Sequence, residues 1–511
     1  MSEVAYIKLK NISKAFGVVQ ANKNVSLDVR KGEVLALLGE NGSGKSTLVN
    51  MLSGIYSPDS GEIFIDDKRV SFSSPKDAIK AKIGMVHQHF KLVDVLTAKE
   101  NIILGQKSGF FTNNENASNK ITKICDKYGL NVSLDKKIYD MSVGEKQTVE
   151  IVKILYRGAE ILILDEPTAV LTPQETKSLF DILRKMKSQG ASIIIITHKL
   201  NEVMEISDRV TVLRNGESIG TVNTSETTPR QLTEMMVGED VILKIKRDEP
   251  KLSENPLLKI EGLSAKDNDG IYRLNNVSFN LFGGEILGVA GIAGSGQKEL
   301  CEIIAGLDKA DSGKVNFLGE SILGLSPRSI IKKGISMSFV PEDRLGMGLV
   351  AGMDIVDNVL LKSYAKNNGP FVDKKAGKKL AEEIVEKFNV STPSVNHIVK
   401  KLSGGNIQKV LLGREIDLNP NLLITAYPVR GLDIGASYNI YDVLNEQKEK
   451  GVGILFIGED LDVLRELCDR IMVIHDGKIM DIIDPKTTTK DDIGLLMLGH
   501  KTSGEENSIN D

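Results

Sequence analysis

The sequence predicts two tandem α/β domains, each built on a largely parallel β-sheet. A duplication is the first indication, because SLDVRKGEVLALLGENGSGKSTLVNMLSG at 26–54 recurs as SFNLFGGEILGVAGIAGSGQKELCEIIAG at 278–306. Within each copy, short β-branched runs alternate with helical stretches, which is typical of strand–helix–strand units. In both copies a glycine-rich loop follows an apolar strand and precedes a helix.

The duplication extends over most of the chain. SGEIFI at 60–65 and SGKVNF at 312–317 are separated by the same 252 residues as the first pair. DRVTVLRNGE and DRIMVIHDGK, near the ends of the copies, are 261 residues apart, which predicts small insertions within the second copy. We therefore expect a first domain at 5–240, a charged linker with two prolines at 241–256, a second domain at 257–500 and a polar tail at 501–511.

The bulk composition excludes several classes of protein. The chain has 511 residues, 41% of them apolar and 26% charged, as in ordinary globular proteins. A net charge of −4 gives no general attraction for nucleic acid. The three cysteines fit no metal-ligand spacing, and the N-terminal residues do not have the pattern of a signal peptide. No apolar run approaches the ~18 residues that a membrane span needs, so a cytoplasmic chain is predicted.

The first copy contains the phosphate-binding pattern Gly-x4-Gly-Lys-Ser between strand and helix. Its glycines let backbone N–H groups close around a phosphate at the positive end of the helix. Lys45 is expected to reach the β- and γ-phosphates, and Ser46 to ligate Mg²⁺. The predicted ATP-binding residues of this loop are Gly39, Glu40, Asn41, Gly42, Ser43, Gly44, Lys45, Ser46 and Thr47.

Two adjacent carboxylates end the apolar run ILIL of the first copy. Asp165 is placed to hold a hydrated Mg²⁺, and Glu166 to polarise an attacking water as general base. Unpaired carboxylates at the end of a buried strand have little structural rationale, because burying them is costly. His198 follows the next apolar run, SIIIIT, where a side chain could hold the γ-phosphate.

These motifs, in this order, resemble those of ATP-binding-cassette proteins over nearly the whole chain, twice. They are the phosphate loop, VHQHF with Gln88, MSVGEKQ, LDEPTA and ITHKL. The resemblance implies two P-loop domains, each a RecA-like α/β core with a helical subdomain, that form an intramolecular head-to-tail dimer. It also implies that Gln88 senses Mg²⁺ and a permease, and that Phe16 stacks on adenine.

The second copy keeps the loop glycines Gly291, Gly294 and Gly296 but has lost the residues that handle charge. The replacements are Gln297 for the lysine, Lys298 for the Mg²⁺-binding hydroxyl, Glu342 for the glutamine, Ala426 and Tyr427 for the two acids, and Glu459 for the histidine. This loop could still bind nucleotide, but it lacks the groups for cleaving it. Nothing in the sequence explains why a tyrosine stands at 427.

A second family motif, the signature Leu-Ser-Gly-Gly, is altered in the first copy and not in the second. MSVGEK in the first copy has Val143 in place of a glycine, whereas LSGGNIQ in the second is intact, and Asp433 is retained where the first copy has Thr172. In the head-to-tail arrangement that the resemblance implies, the intact phosphate loop of copy one faces the intact signature of copy two. The resemblance therefore implies one working ATPase site, to which the second copy contributes Ser403, Gly404, Gly405, Asn406 and Asp433.

The resemblance favours the ATPase of a bacterial importer with ATP and Mg²⁺ as cofactors. Its implied partners are two membrane-spanning permeases and an extracytoplasmic substrate-binding lipoprotein, without nucleic acid, at the cytoplasmic face of the plasma membrane. The stretch at 84–105 is most similar to the nucleoside branch, with simple-sugar importers of the ribose and galactose type as the alternative. A ribosome-associated cassette ATPase and a regulatory protein that binds ATP without turnover are more distant hypotheses.

Overall fold

The computed structural model describes residues 5–17, 19–88, 90–105, 114–169, 171–238, 245, 247–267, 269–292, 294–339, 348–363, 372–430, 432 and 434–500. The chain divides into two compact units, Met1–Ile242 and Leu243–Asp511. The finer boundaries of the linker and the tail stay a prediction, and the tail lies outside the described residues.

The first unit is an α/β domain with two sheets. Its described strands are β1 (Ala5–Phe16), β2 (Val19–Arg30), β3 (Val34–Leu38), β4 (Ser60–Ile65), β5 (Lys68–Val70), β6 (Ile83–Val86), β7 (Ile161–Asp165), β8 (Ser192–Thr197), β9 (Arg209–Arg214) and β10 (Glu217–Asn223). Its described α-helices are α1 (Lys45–Leu52), α2 (Pro75–Lys80), α3 (Ala98–Ile103), α4 (Asn114–Tyr128), α5 (Val143–Tyr156), α6 (Pro173–Ser188), α7 (Leu200–Ile206) and α8 (Pro229–Val237).

The larger sheet of this unit has the order β6-β7-β8-β3-β9-β10. The pairings from β6 to β9 are parallel, and β10 pairs antiparallel with β9. All five residues of β3 are buried, as are the six of β8, because helices cover both faces of a parallel sheet. The carboxyl ends of β3, β6, β7 and β8 therefore meet at one edge, which is where ligands bind in open α/β sheets.

A helical segment is inserted between β6 and β7. It contains α3, α4, a 3-10 helix at Ile138–Asp140 and α5. Thr97 and Ser142 cap the N-termini of α3 and α5 with capping boxes. Each hydroxyl accepts a hydrogen bond from the N–H of the glutamate three residues later, Glu100 or Glu145, and that glutamate's carboxylate accepts one from the N–H of the capping residue. This insertion is the helical subdomain that the sequence predicts.

The second unit repeats this plan. Its described strands are β11 (Pro256–Lys266), β12 (Tyr272–Phe282), β13 (Ile286–Ala290), β14 (Ser312–Phe317), β15 (Glu320–Ser321), β16 (Ile335–Phe339), β17 (Leu422–Ala426), β18 (Gly453–Ile457), β19 (Arg470–His475) and β20 (Lys478–Ile483). Its described α-helices are α9 (Gln297–Ile304), α10 (Pro327–Lys332), α11 (Ile355–Ser363), α12 (Lys374–Lys387), α13 (Gly404–Asp417), α14 (Ile434–Glu449), α15 (Leu461–Leu467) and α16 (Lys490–Met497).

The sheet topology of the two units is the same. The order β16-β17-β18-β13-β19-β20 matches that of the first unit strand for strand, and the antiparallel sheet β12-β11-β14-β15 matches β2-β1-β4-β5. The tandem α/β fold predicted from the repeat is confirmed. Among the described helices, none combines the length and apolar character that crossing a bilayer requires.

Candidate functional site

The phosphate loop of the first unit joins β3 to α1 and is organised by Lys45. This side chain is only 6% exposed. Its Nζ donates to the backbone oxygens of Gly39 at 2.6 Å and Glu40 at 2.8 Å, which closes the loop on itself. Burial lowers the pKa of Lys45, although the charges of Glu166, Asp165 and Glu40 oppose that effect. Ser46 and Thr47 follow in the first turn of α1.

Two loop positions admit no side chain. A Cβ on Gly39 would lie 2.3 Å from the backbone oxygen of Leu213. A Cβ on Gly44 would lie 2.3 Å from the backbone oxygen of Ala21, and Gly44 has a φ of 96° at the start of α1. Glycine is therefore required at both positions to let the backbone pass so closely.

Ser43 supports a phosphate ligand on independent grounds. The residue is 4% exposed, and its hydroxyl has no hydrogen-bond partner within the described structure. A buried hydroxyl left unpaired costs free energy, so a partner from outside the chain is expected. The hydroxyl lies inside a loop that starts a helix, where a phosphate oxygen is favoured. The loop thus fits the phosphates of a nucleotide.

Glu166 is the point where the predicted catalytic side chains meet. Its Oε2 accepts a hydrogen bond from Gln88 Nε2 at 2.8 Å, and its Oε1 lies 3.1 Å from His198 Nδ1. The residue has a positive φ of 46°, fixed in part by its N–H donating to the oxygen of Ile196 at 2.9 Å. The ends of β6, β7 and β8 therefore bring together three residues that the sequence places far apart.

The electrostatics separate the two adjacent acids. Burial by itself would raise the pKa of Glu166, but the hydrogen bond and charge of His198, with the charges of Lys45 and Lys199, hold it below its usual range. Burial, followed by the charge of Glu166, raises the pKa of Asp165 to about 6 against the opposing charge of Lys45. Glu166 is thus a carboxylate ready to accept a hydrogen bond from water, while Asp165 carries a charge that its surroundings disfavour.

A divalent cation fits the neighbourhood of Asp165, because a cation would relieve this disfavoured charge. Mg²⁺ prefers oxygen ligands and keeps several waters, so it needs only one or two side chains beside the phosphates. Ser46, Gln88 and Asp165 supply oxygens of that kind. No group of three His, Cys, Asp or Glu side chains that could hold a metal occurs among the described residues.

Asp165→Asn is expected to stabilise the nucleotide-free protein at neutral pH. Because the folded pKa of about 6 lies above the ordinary aspartate pKa of 3.8, the folded state binds the proton more tightly, and stability falls as pH rises through this interval. The shift corresponds to at most ~3 kcal/mol above pH 6. In thermal melts the variant should unfold at a higher temperature than wild type at pH 8, with a smaller difference at pH 5. A variant that melts at a lower temperature than wild type at pH 8 would contradict the raised pKa of Asp165. As a control, Asp94→Asn, at an exposed position, should change the melting temperature little.

Phe16, the predicted adenine platform, is on the surface. Its side chain is 43% exposed, which argues against a core aromatic. It packs edge to face on Tyr56, with ring centroids 5.2 Å apart and an interplanar angle of 70°. Tyr56 follows α1 in a polar stretch and was missed by sequence reasoning, since nothing in that stretch separates it from an ordinary loop residue. The two rings together offer an apolar surface at the end of β1.

The glycine-rich loop of the second unit keeps the backbone shape of the first, although Gln297 stands in the position of Lys45. Gly296 has a φ of 108°, like its counterpart in the first unit, and a Cβ on Gly291 would lie 2.6 Å from the oxygen of Ile474. Gln297 is 5% exposed and donates from Nε2 to the backbone oxygen of Ile292 at 3.2 Å, which repeats one of the bonds made by Lys45. Gly294 retains a positive φ of 88°. Lys298 lies near Glu302 at 3.8 Å, one turn along α9.

Tyr427 stands where the first unit has Glu166, within a backbone of the same conformation. It has a φ of 55°, and its N–H donates to the oxygen of Ile457 at 2.8 Å, as at Glu166. Burial, then the charge of Glu459, raises the pKa of Tyr427 to about 12, so the phenol stays neutral. Ala426 is buried, and Glu459 forms an ion pair with Arg430 at 3.5 Å. This strand end therefore offers a packed phenol ring where the first unit offers a base.

The two signatures differ in charge at the start of their helices. Ser142 and Ser403 both cap a helix, α5 and α13 respectively. Beside Ser403, the amide of Asn406 donates from Nδ2 to the serine Oγ at 2.8 Å. Beside Ser142 stands Glu145, a carboxylate paired with Lys136 at 2.8 Å. The second signature, with Gly404 and Gly405 in the first turn of α13, is the neutral one.

Glu342 and Asp433, also named from the sequence, lie outside the described residues. The described site residues of the first unit converge at one sheet edge. Ser403 to Asn406 belong to the other unit, so their meeting with the first phosphate loop stays a prediction.

The chain matches the family model for the ABC transporter at residues 22–169 and 274–428, together more than half of its length. The chain belongs to this ATP-binding-cassette family. It is 44% identical to the nucleoside import ATP-binding protein NupA of Lactococcus lactis, covering 98% of this chain and 99% of that protein. The guanosine import ATP-binding protein NupO of Bacillus subtilis is also 44% identical, over 98% and 99%. A glucose import ATP-binding protein of Haloferax volcanii is 40% identical, over 98% and 96%.

Family membership accounts for the duplicated architecture, since the model matches once in each unit. The chain is an ABC ATPase, and the family binds ATP. Each matched segment contains one phosphate loop. The first segment also contains Asp165 and Glu166, and the second contains Ala426 and Tyr427 at the aligned positions.

Proposed function

We propose that this ABC ATPase drives a nucleoside importer from a single working composite site. The observation that carries the proposal is the 44% identity, over almost the full length, to two ATPases named for nucleoside and guanosine import. An ATPase subunit does not touch the imported solute, so the choice of solute rests on this similarity and not on a pocket.

The working site combines the phosphate loop of the first unit with the signature of the second. Lys45 closes the first loop, whereas Gln297 in the second is neutral. The second signature presents Ser403 and an amide, whereas the first presents a charged Glu145. A phosphate is favoured by N–H donors and opposed by a carboxylate, so this pairing unites the two better halves.

Hydrolysis in this site depends on Glu166 as the base for the attacking water. His198 and Gln88 hold its carboxylate oxygens, and its depressed pKa keeps it charged near neutral pH. Ser46, Gln88 and Asp165 would hold Mg²⁺, which when bound neutralises charge on the β- and γ-phosphates. Binding of ATP between the units would favour a closed arrangement and hydrolysis would release it, because ligands shift populations by differential affinity.

The proposed partners are two membrane-spanning permeases and, through them, an extracytoplasmic substrate-binding lipoprotein; nucleic acid is not a partner. The chain would then lie at the cytoplasmic face of the membrane. In support, the segment after Gln88 exposes apolar side chains: Val93 is 40% and Val95 67% exposed, and the neighbouring Tyr139 is 56% exposed. The N–H of Tyr139 donates to the backbone oxygen of Asp94 at 3.2 Å, which joins the segment that carries Val93 and Val95 to the 3-10 helix at Ile138–Asp140.

A simple-sugar importer is the second candidate. The observation in its favour is the 40% identity to an ATPase named for glucose import, over nearly the same length.

Uptake by a reconstituted complex tests the proposal. The chain would be purified with the membrane proteins encoded beside it, placed in proteoliposomes with the matching binding protein, and given ATP on the chain's side. Labelled guanosine is expected to accumulate only with ATP, and excess unlabelled ribose should not compete. ATP-dependent uptake of ribose or glucose instead would support the second candidate. Co-sedimentation with ribosomes, without such uptake, would contradict both.

A further inference from the structure

A buried carboxylate joins the two strand ends that carry Glu166 and His198. Glu202, on α7, is 8% exposed. Its Oε1 accepts a hydrogen bond from Thr168 Oγ1 at 2.5 Å, and its Oε2 accepts one from Thr197 Oγ1 at 3.0 Å. Both threonines are 2% exposed. One side chain therefore connects the loop after β7 to the end of β8.

Lys199 completes this group and compensates its charge. Its Nζ lies 3.2 Å from Glu202 Oε1 and donates to the backbone oxygen of Thr168 at 3.3 Å. Its N–H donates to Thr197 Oγ1 at 3.0 Å. The carboxylate is thus paired and hydrogen-bonded on both oxygens, as a buried charge must be. We call these four residues, Thr168, Thr197, Lys199 and Glu202, the Glu202 network.

The network lies directly behind the catalytic side chains. Thr168 is two residues after Glu166, and Thr197 and Lys199 flank His198. Glu166 has a positive φ, a conformation that persists only where its surroundings hold it. Holding both segments with one carboxylate adds to the β7–β8 pairing in restraining the segments that carry Glu166 and His198, whose side chains lie 3.1 Å apart.

The second unit shows that the fold does not need this network. The aligned positions are Val429, Gly458, Asp460 and Val463. Val429 and Val463 pack against the apolar core, and Asp460 caps α15 by accepting from the N–H of Asp462. Helices α7 and α15 are both seven residues long. The polar groups are therefore absent in the same copy that has lost the catalytic acid and histidine, although the backbone is built in the same way.

We propose that the Glu202 network positions Glu166 and His198 for ATP hydrolysis. Its members are positioning residues, because they act through the two catalytic side chains and not on the nucleotide. The inference rests on the proposed role of Glu166. It predicts a loss of turnover without a matching loss of ATP binding, since no residue of the phosphate loop is a member of the network.

The test converts the network to the apolar pair of the second unit. In the full-length chain, Thr168→Val with Glu202→Val should reduce turnover at saturating ATP at least about tenfold, because small displacements of catalytic groups are costly. The Kd for a fluorescent ATP analogue should stay within about threefold, because the substitutions leave the binding residues in place. The melting temperature should fall only modestly, because valine fills the apolar space while the Thr197 hydroxyl and the partly exposed Lys199 lose their carboxylate partner.

Two further variants separate positioning from general stability. Glu202→Gln keeps the side-chain volume and one acceptor, so its turnover should lie between those of wild type and the double variant. Thr224→Val removes another buried hydroxyl, which pairs with Ser207 at 2.8 Å near the far end of α7, and should leave turnover unchanged. Unchanged turnover in the double variant would overturn the inference. So would equal losses of turnover, ATP affinity and melting temperature. If wild-type turnover does not depend on Glu166, the proposed role of Glu166 fails, and with it the premise of this inference.

Discussion

Glu166→Gln is expected to reduce ATP turnover by about 10²–10⁴-fold, the usual contribution of a positioned general base. The amide has the same shape, but it cannot accept a proton, and it cannot reproduce the charge that His198, Lys45 and Lys199 favour at this position. ATP binding should persist, because Lys45 and the phosphate loop are unchanged. The measurement is phosphate release by the purified chain with its membrane partners, next to nucleotide affinity.

The matched control is Tyr427→Phe, the aligned position of the second unit. Its phenol is neutral and buried against the core, so removing the hydroxyl should leave turnover within about twofold, as a substitution outside the chemistry does. Hydrolysis that persists in Glu166→Gln would mean that the second site cleaves ATP by a route without the two acids. The proposal of one working site would then be wrong.

Ser403→Asp should strongly reduce turnover, although Ser403 lies in the other unit from Glu166. Aspartate caps a helix as well as serine does, so α13 should keep its stability. In the composite site the new carboxylate would face the γ-phosphate, and two like charges about 4 Å apart repel by ~4 kcal/mol at the dielectric of a protein surface. We expect a loss of at least about 100-fold in turnover, together with weaker ATP binding.

Ser142→Asp is the matched control in the first unit. Ser142 is also an exposed helix cap, with backbone angles close to those of Ser403. Its new carboxylate would stand beside that of Glu145, so the melting temperature of each variant is measured together with its turnover. If the first signature faces the degenerate loop, turnover should stay near the wild-type value. Equal losses in both variants would show that both composite sites are needed, and a loss only in Ser142→Asp would reverse the assignment.

The two sets of variants test the two differences between the copies, in the catalytic strand end and in the signature. Glu166→Gln asks which strand end cleaves ATP, and the serine pair asks which signature faces it. Only the combination of an essential Glu166 with an essential Ser403 fits one site made from both copies.

The local chemistry of the site follows from short motifs. The glycines at 39 and 44 are required where no Cβ fits, and Lys45 binds the backbone of its own loop six residues away. Strand, loop and helix are adjacent in sequence, so the motif contains its own geometry. The alternation of strands and helices likewise fixes which ends of parallel strands share an edge, and this is why Asp165 and His198 could be placed together.

Other features depend on contacts between distant segments. Tyr427 has no rationale in the sequence, because its backbone angle, its neutral phenol and the Arg430–Glu459 pair beside it exist only once β17 and β18 are side by side. Glu202 looks like an ordinary polar residue of a short helix until Thr168 approaches from the loop after β7. The exposed edge-to-face contact between Phe16 and Tyr56 joins positions 40 residues apart in the sequence.

The sequence by itself determined the duplication, the fold class, the intact phosphate loop and the copy that lacks the acids, because each is encoded in residues that are near neighbours or in an internal repeat. The tertiary structure decided how charge is distributed at the site. The pKa of Asp165 is raised and that of Glu166 is lowered although the two are adjacent, because burial acts on both while His198 contacts only one. Desolvation and pairing depend on what packs around a group, and that is settled only when the strands assemble.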